Sequence, residues 1–409
     1  MALYEYRKNA VNQVRVPDRV RRGLVCGTPE VLNRILALVR ERQKPGLLAA
    51  AIDGWYGVDW GALESGLRQA TQAEGLRLET VSTAGLFRPR ADIDAYQRPF
   101  VTDDPSFGRV NSTGGVEDLL DPEKISELRS VLEARAAGSE GVLIVLGPGA
   151  AVPCLAPLYG VRFYADFTMQ PLLWQMWEGK LVPFGSETPA ADYNWKKYYY
   201  CDFYLLLRQK KRAFAQMDYY LEAVEPQNLK LLPAADYNTV VDELVKGPIK
   251  QVKIAQPGPW GSYRFKDIYD EIPGLENMAW NELAGIELSI LVEVNGEAVL
   301  NIPCQNIMQR PVQLVGEYVH RRYPDLLPLQ VWLDDGYLKE RVPYERASMP
   351  IHNHPGTDYV KRNFNEPLGR YETYYIVEAY KDAGTMMGFK FAPRPIPPSK
   401  RPWIFSKPA

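Results

Sequence analysis

The chain has 409 residues, 46% of them hydrophobic and 24% charged, which is the balance of a globular chain long enough for two domains or three. A net charge of −2 argues against a dedicated nucleic-acid binder, and no apolar stretch approaches the ~20 residues that span a bilayer. There is no charged start followed by an apolar core to mark a secretory signal. Cys26, Cys154, Cys201 and Cys304 form no Cys-x-x-Cys pair, so a disulfide framework or zinc ribbon is not expected and a reducing cytoplasm fits.

Residues 5–22 carry Arg7, Lys8, Arg15, Arg19, Arg21 and Arg22 against Glu5 and Asp18, and read as a solvated arm or as a contact to an acidic partner. Thr28-Pro29-Glu30 then offers an N-cap, a first-turn proline and an acid, and Val31, Leu32, Ile35, Leu36 and Val39 follow at helical spacing. Leu47 to Ile52 is a short apolar run suited to a buried parallel strand. After the loop Asp53 to Trp60, Ala62 to Ala73 is a second amphipathic helix. The pattern repeats: Asp121-Pro122-Glu123 opens a helix to about Ala136, and Gly141 to Leu146 is a second strand ending in Gly147-Pro148-Gly149-Ala150-Ala151. Phe163 to Phe167 is a third. Such alternation predicts an α/β layer with a mostly parallel sheet.

The loop after the first strand is where a phosphate site would sit. Ile52-Asp53-Gly54 and Gly57 resemble the start of uridine-kinase-like P-loop proteins. In that resemblance Trp60 stands where the phosphate lysine belongs and Gly61 where the magnesium-holding hydroxyl belongs. Asp53 and Asp59 add negative charge beside any phosphate. The expectation is a kinase-like fold with a degenerate phosphate loop, no kinase activity and no nucleotide. Residues 193–222 pack seven aromatic side chains ahead of Arg208-Gln209-Lys210-Lys211-Arg212. Basic residues beside aromatics could bind nucleic acid, but within a folded domain they read as core and solvated rim.

Beyond Lys246-Gly247-Pro248 the helical spacing fades. Ile286 to Val294 alternates, Asn295-Gly296 marks a hairpin turn, and Glu297 to Ile302 returns. Leu327 to Leu333 and Tyr371 to Ala379 are further strand candidates, so an antiparallel barrel or sandwich is predicted, with a boundary near residue 245. The chain has three histidines, and His352 and His354 sit two apart in a predicted strand, both on one face. A nearby carboxylate would complete a three-ligand metal site with open positions. Two acids compete for that place: Asp358, four residues after His354, and Glu372 at the start of a predicted strand.

Together these segments resemble the long two-domain form of class I mannose-6-phosphate isomerase-like proteins, in which a degraded nucleoside-kinase-like domain precedes a cupin. Matching stretches are Thr102 to Arg109, Leu146 to Ala151, Pro257-Gly258-Pro259-Trp260-Gly261, Leu314 to His320 and Leu327 to Asp334. The resemblance implies an α/β P-loop-kinase-like domain at 1–245 and a mostly-β cupin-like barrel at 246–391. A Pro-rich tail follows at 392–409. It also implies that His352, His354 and Glu372 hold zinc, or iron or manganese, leaving Asp358 as a neighbouring loop residue. Tyr359 and Lys361 are the nearest candidates for touching substrate. No histidine follows His354, so the family's fourth ligand is missing and the barrel is either shortened or closed by other means. A second subunit is one way to cover the strand edges of a shortened barrel, making a homo-oligomer.

The function implied is a metal-dependent aldose–ketose isomerase acting on a sugar phosphate such as mannose 6-phosphate, moving a proton between adjacent carbons. No catalytic base is assigned from the sequence. Two other classes compete: a non-catalytic sugar- or metal-binding regulatory cupin, and a self-assembling structural protein. No nucleic acid and no membrane is expected as a partner.

Overall fold

A computed structural model describes residues 3–41, 49–73, 75, 77–135, 141–258, 261, 263, 268–269, 272, 274–275, 277–324, 327, 330–334 and 352–378. Leu47-Leu48, Ala136, Pro259-Trp260, Ser348 to Ile351 and the tail 392–409 lie outside them. In chain order the elements are β1 (Tyr4–Tyr6), β2 (Val11–Val14), α1 (Asp18–Gly23), β3 (Val25–Cys26), α2 (Thr28–Glu41), β4 (Ala49–Gly54), α3 (Trp60–Ala73), β5 (Leu78–Ser82), α4 (Arg90–Val101) and α5 (Pro122–Arg135). Then come β6 (Val142–Leu146), β7 (Val161–Asp166), α6 (Met169–Trp177), α7 (Trp195–Lys197), α8 (Phe203–Gln216), β8 (Tyr219–Glu222), β9 (Lys230–Pro233) and α9 (Ala234–Leu244). The rest is β10 (Lys253–Gln256), β11 (Trp280–Ala284), β12 (Ser289–Val294), β13 (Ala298–Pro303), α10 (Pro311–Arg322), β14 (Val331–Asp334) and α11 (Thr357–Phe364). No described helix is long and apolar enough to cross a membrane.

The expected α/β layer is present. Seven strands form one sheet in the order β3-β9-β8-β7-β4-β6-β5, and β5, β6, β4, β7 and β8 run parallel. Every residue of β4 is buried, as an unbroken apolar run between two helical layers should be. The inward residues of α2, Val31, Leu32, Ile35, Leu36 and Val39, are those its spacing selected. Chain order across the sheet reverses at β4, with β6 on one side and β7 on the other. A sheet of this kind binds ligands at the carboxyl end of its strands, at that point of reversal.

The region after residue 246 is mostly β, in two sheets. One is antiparallel in the order β1-β10-β11-β14; the other, β13-β12-β2, contains the Asn295-Gly296 hairpin with both turn residues at positive φ. The amino-terminal arm is therefore not a solvated tail. β1 pairs with β10, and β2 lies parallel to β12 with Val11 opposite Leu291. One apolar core runs through Val14, Val20, Tyr164, Tyr220, Tyr237, Val292 and Ile302, so side chains from both sides of residue 245 share it.

Two predicted strands do not form. His352 to Pro355 and Tyr371 to Glu378 are extended or bent segments without a ladder. Tyr371, Tyr375 and Val377 are 77%, 88% and 77% exposed, so the alternation there has no buried face. Strand propensity acts through packing against neighbouring strands, and none lies beside this stretch among the described residues.

Candidate metal centre and a filled phosphate corner

At the carboxyl end of β4 the chain supplies the partners of a buried carboxylate from its own groups. The Asp53 carboxylate is fully buried and accepts from Gly54 N (2.7 Å), Gly149 N (2.8 Å), Ala151 N (3.0 Å) and Gln209 Nε2 (2.6 Å). Burial raises its pKa against the pull of those four donors. It therefore serves as the anchor for the loop 147–151. The side chains after it fill the space at that end of the strand. Trp55 and Tyr56 are buried, Trp55 Nε1 donates to Tyr198 Oη at 3.2 Å, and the Trp60 ring lies over Gly54. Gly57, at φ +92°, has Phe167 where a Cβ would stand, 2.4 Å away.

The amino end of α3 is also taken. Asp59 Oδ1 accepts from Ala62 N at 2.8 Å, so the helix donors that would hold a phosphate are capped by the chain's own carboxylate. Behind this corner Asp202, at the end of a π-helical turn (Tyr198–Asp202), accepts from Tyr193 (2.6 Å), Gln97 Nε2 (2.7 Å) and Tyr56 (3.0 Å). Burial pushes its pKa up to about 6 despite those donors. Lys210, read from sequence as part of a solvated basic rim, is instead buried. Its Nζ is 2.8 Å from Asp166 Oδ1 and faces the rings of Trp55, Tyr164 and Phe214. Desolvation lowers its pKa. The signal for this was present: Leu205, Leu206, Gln209, Lys210 and Ala213 form one buried helical face. Asp166 also accepts from Tyr220 and, at 2.7 Å, from Asn306 Nδ2 of the carboxyl-terminal region.

The second place is the reverse in character. His352, His354 and Glu372 bring one ligand-type atom each to within 4.8 Å of one another. Glu372 Oε2 is 2.7 Å from His354 Nε2 and 3.5 Å from His352 Nε2, and the imidazole centroids are 4.8 Å apart. His354 Nε2 is buried yet has no aligned hydrogen bond. The side chains stay open to solvent at 44%, 23% and 34% for His352, His354 and Glu372. Two imidazoles and a carboxylate suit zinc, iron or manganese. Donors on a tetrahedral ion at ~2.0–2.1 Å stand about 3.3 Å apart, so the Glu372–His354 contact is at present closer than a shared ion would set it.

Loops deliver this trio. His352 and His354 precede α11 and Glu372 follows it. Thr357 Oγ1 ties the two sides, accepting from Gly369 N at 3.1 Å and lying 3.2 Å from Tyr371 Oη. Asp358 is in the first turn of α11, away from the ligand group. Tyr359 is half exposed against the Phe364 ring and Lys361 is exposed in the last turn; neither makes a described contact with the trio. Arg370, two residues before Glu372, donates to Gln330 Oε1 at 2.7 Å, and Gln330 Nε2 reaches Glu287 Oε2 at 3.5 Å. Burial holds both Glu287 and its neighbour Glu282 above the ordinary carboxylate range, and for Glu282 the charge of Glu287 adds to it. The pattern of the sequence did not reveal Thr357, Arg370 or this acid pair, because their contacts are made across loops and not at helix or strand spacing. All four cysteines are free thiols.

An α/β protein with a buried polar network at the carboxyl end of β4 and a separate histidine–carboxylate cluster is the class these features define. The chain belongs to the family described as "Domain of unknown function (DUF8485)", whose profile matches residues 30–246. No curated protein matches it. Among solved structures it is similar to a putative fructose transport system kinase from Silicibacter sp. TM1040, at 19% identity and a TM-score of 0.26, over 36% of this chain and 80% of that one. It is also similar to phosphoribulokinase from Rhodobacter spheroides, at 13% identity and a TM-score of 0.29, over 68% and 99% of the two chains. Both names are those of kinases, and neither is that of an isomerase.

Proposed function

We propose that this chain is a metal-dependent protein in which His352, His354 and Glu372 hold zinc, iron or manganese. The observation that carries the reading is the convergence of three ligand-type atoms within 4.8 Å. Isolated acids and imidazoles are common on surfaces, but here one of them, His354 Nε2, is buried without an aligned hydrogen bond. An ion there would act as a Lewis acid on an oxygen of a bound sugar phosphate. The residues themselves would fix its position and leave the solvent side open for ligand. The activity to test is aldose–ketose isomerisation of a sugar phosphate such as mannose 6-phosphate, with Tyr359 and Lys361 as the candidates for substrate contact. The cupin part of the reading rests on the spacing of His352, His354 and Glu372, since the described strands β10–β14 lie in two open sheets.

A non-catalytic metal- or sugar-binding role is the second reading. It is favoured by the lack of any described contact from Tyr359 or Lys361 to the trio, and by a kinase-like unit whose own corner is filled. In this reading, as in the first, the α/β unit is a scaffold that takes no nucleotide. Elemental analysis of the purified chain beside the His352→Ala/His354→Ala double variant tests the site. About one ion per chain, absent from the variant, is expected for a three-ligand site. Metal in neither form, or equal metal in both, would sink it. Turnover of sugar phosphates by the metal-loaded protein then separates the two readings.

A further inference from the structure

Both halves of the trio hang on loops, and their one helical link, α11, buries only Val360. A short helix with one buried residue has little to hold it in place. Its carboxyl end, however, is tied to the α/β unit. Arg109 Nη1 donates to the carbonyls of Asn363 (3.0 Å) and Arg362 (3.3 Å), which are among the helix's own unsatisfied acceptors. A guanidinium there also opposes the negative end of the helix dipole. Val110 N donates to Phe364 O at 2.8 Å. Asn365, in the left-handed region at φ 57°, ends the helix and donates to Val110 O (2.8 Å) and Ser112 Oγ (2.7 Å). The Phe107 and Phe364 rings stack at 5.2 Å.

The receiving loop is itself fixed. Arg109 N donates to Phe100 O (2.7 Å) and Asn111 N to Tyr200 O (2.7 Å), while Gly108 sits where a Cβ would be 2.3 Å from Phe100 O. The clamp therefore runs from the aromatic core of the α/β unit, through residues 107–112, to the end of α11. At the other end of α11, Thr357 joins the stretch before the helix to the stretch that carries Glu372.

We infer that the 107–112 loop of the α/β unit positions the metal centre, with Arg109 and Asn365 as positioning residues whose docking and metal binding at His352, His354 and Glu372 are coupled. This rests on the metal reading above, and it gives the filled kinase-like unit a role in holding the ligand loops in register. Neither residue touches the ion or a substrate. Coupling of this kind is reciprocal, so whatever docking adds to metal affinity, metal adds to docking.

The test uses the full chain and zinc alone. Zinc affinity is measured by competition with a chromophoric chelator for the unaltered protein, Arg109→Ala, Arg109→Lys and Asn365→Ala. Hydrogen exchange at the Val110 amide is followed with and without zinc. The expected result is a roughly tenfold weaker zinc affinity in Arg109→Ala, the scale seen when groups outside the ligand shell are removed. Arg109→Lys should recover part of it, and Asn365→Ala should weaken binding in the same direction. Zinc should slow exchange at Val110 in the unaltered protein and leave it unchanged in His352→Ala/His354→Ala. A merely structural role would not produce that zinc-dependent protection. Unchanged zinc affinity in both Arg109→Ala and Asn365→Ala, with no zinc effect on Val110, would overturn the coupling while leaving the metal site standing. No zinc taken up by the unaltered protein would instead remove the metal reading, and this inference with it.

Discussion

The carboxyl end of β4 and the loops around α11 both gather polar side chains, but they treat them in opposite ways. At β4, Asp53 accepts four hydrogen bonds and Lys210 is neutralised by Asp166, all out of reach of solvent. Around α11, three ligand-type groups meet with their surfaces partly wet and one buried nitrogen lacks an aligned partner. A buried polar group that has all its partners rigidifies a fold; one left short of partners is available to something else. The difference separates a buried network that anchors the fold from a partly open cluster proposed to hold a metal ion.

The comparison breaks most readily at Lys210. Lys210→Met strands the Asp166 carboxylate in the core, and urea unfolding should show a loss of about 3–5 kcal/mol. A cost below about 1 kcal/mol would mean that the corner is wetter than its geometry implies. The next largest effect is in pH. Folding raises the Asp202 pKa from 3.8 to about 6, so the folded state binds the proton more tightly than the unfolded one. Its contribution is full below pH 4 and is lost as pH rises through 6. That is on the order of 3 kcal/mol, and the corresponding slope should vanish from the pH–stability curve of Asp202→Asn. Gly57→Ala meets Phe167 in a backbone conformation that L-residues avoid, and about 1–3 kcal/mol of destabilisation is expected.

Much of this contrast could be read before any coordinates, and part of it could not. α2, β4, β6 and the β12–β13 hairpin follow from short-range spacing, capping and turn chemistry, which a single chain displays openly. The residues Trp60 and Gly61, where the resemblance expects a lysine and a hydroxyl, were equally visible. The rings packed around Tyr56 were not, because Tyr198, Phe184 and Tyr193 arrive from more than a hundred residues away. The His352–His354 interval was legible, but it left Asp358 and Glu372 in competition; the resemblance favoured Glu372, which lies beside both imidazoles. The strands predicted to carry it do not form, since β propensity at 371–377 finds no neighbouring strand among the described residues. The amino-terminal arm was misread for the same reason in reverse: its basic residues suggested solvent, and its pairing partners lie far along the chain, in β10 and β12.

Two smaller measurements sharpen the comparison. Burial keeps the pKa values of Glu282 and Glu287 high in the folded state, and for Glu282 the neighbouring charge of Glu287 adds to it. Their cost to stability grows as pH rises, so Glu282→Gln should gain about 1 kcal/mol at pH 8 and less at pH 5. Last, His352→Ala in metal-free protein should shift stability by no more than about 0.5 kcal/mol, as for a surface change. A loss of several kcal/mol there would mark the trio as a structural cluster like the one at β4.

The parallel pairing of β2 with β12 has a consequence for biosynthesis. Asn12 donates to Leu291 O across 279 residues of sequence, so Val11 to Val14 are made well before the strand they pair with. At ~5–20 residues per second the strand waits roughly 14 to 56 s for its partner to be made. During that interval the α/β layer can close without it, while Val14, Val16 and Val20 have no completed sheet to cover them. Completion of the β13-β12-β2 sheet thus waits until residues well beyond the α/β layer have been made.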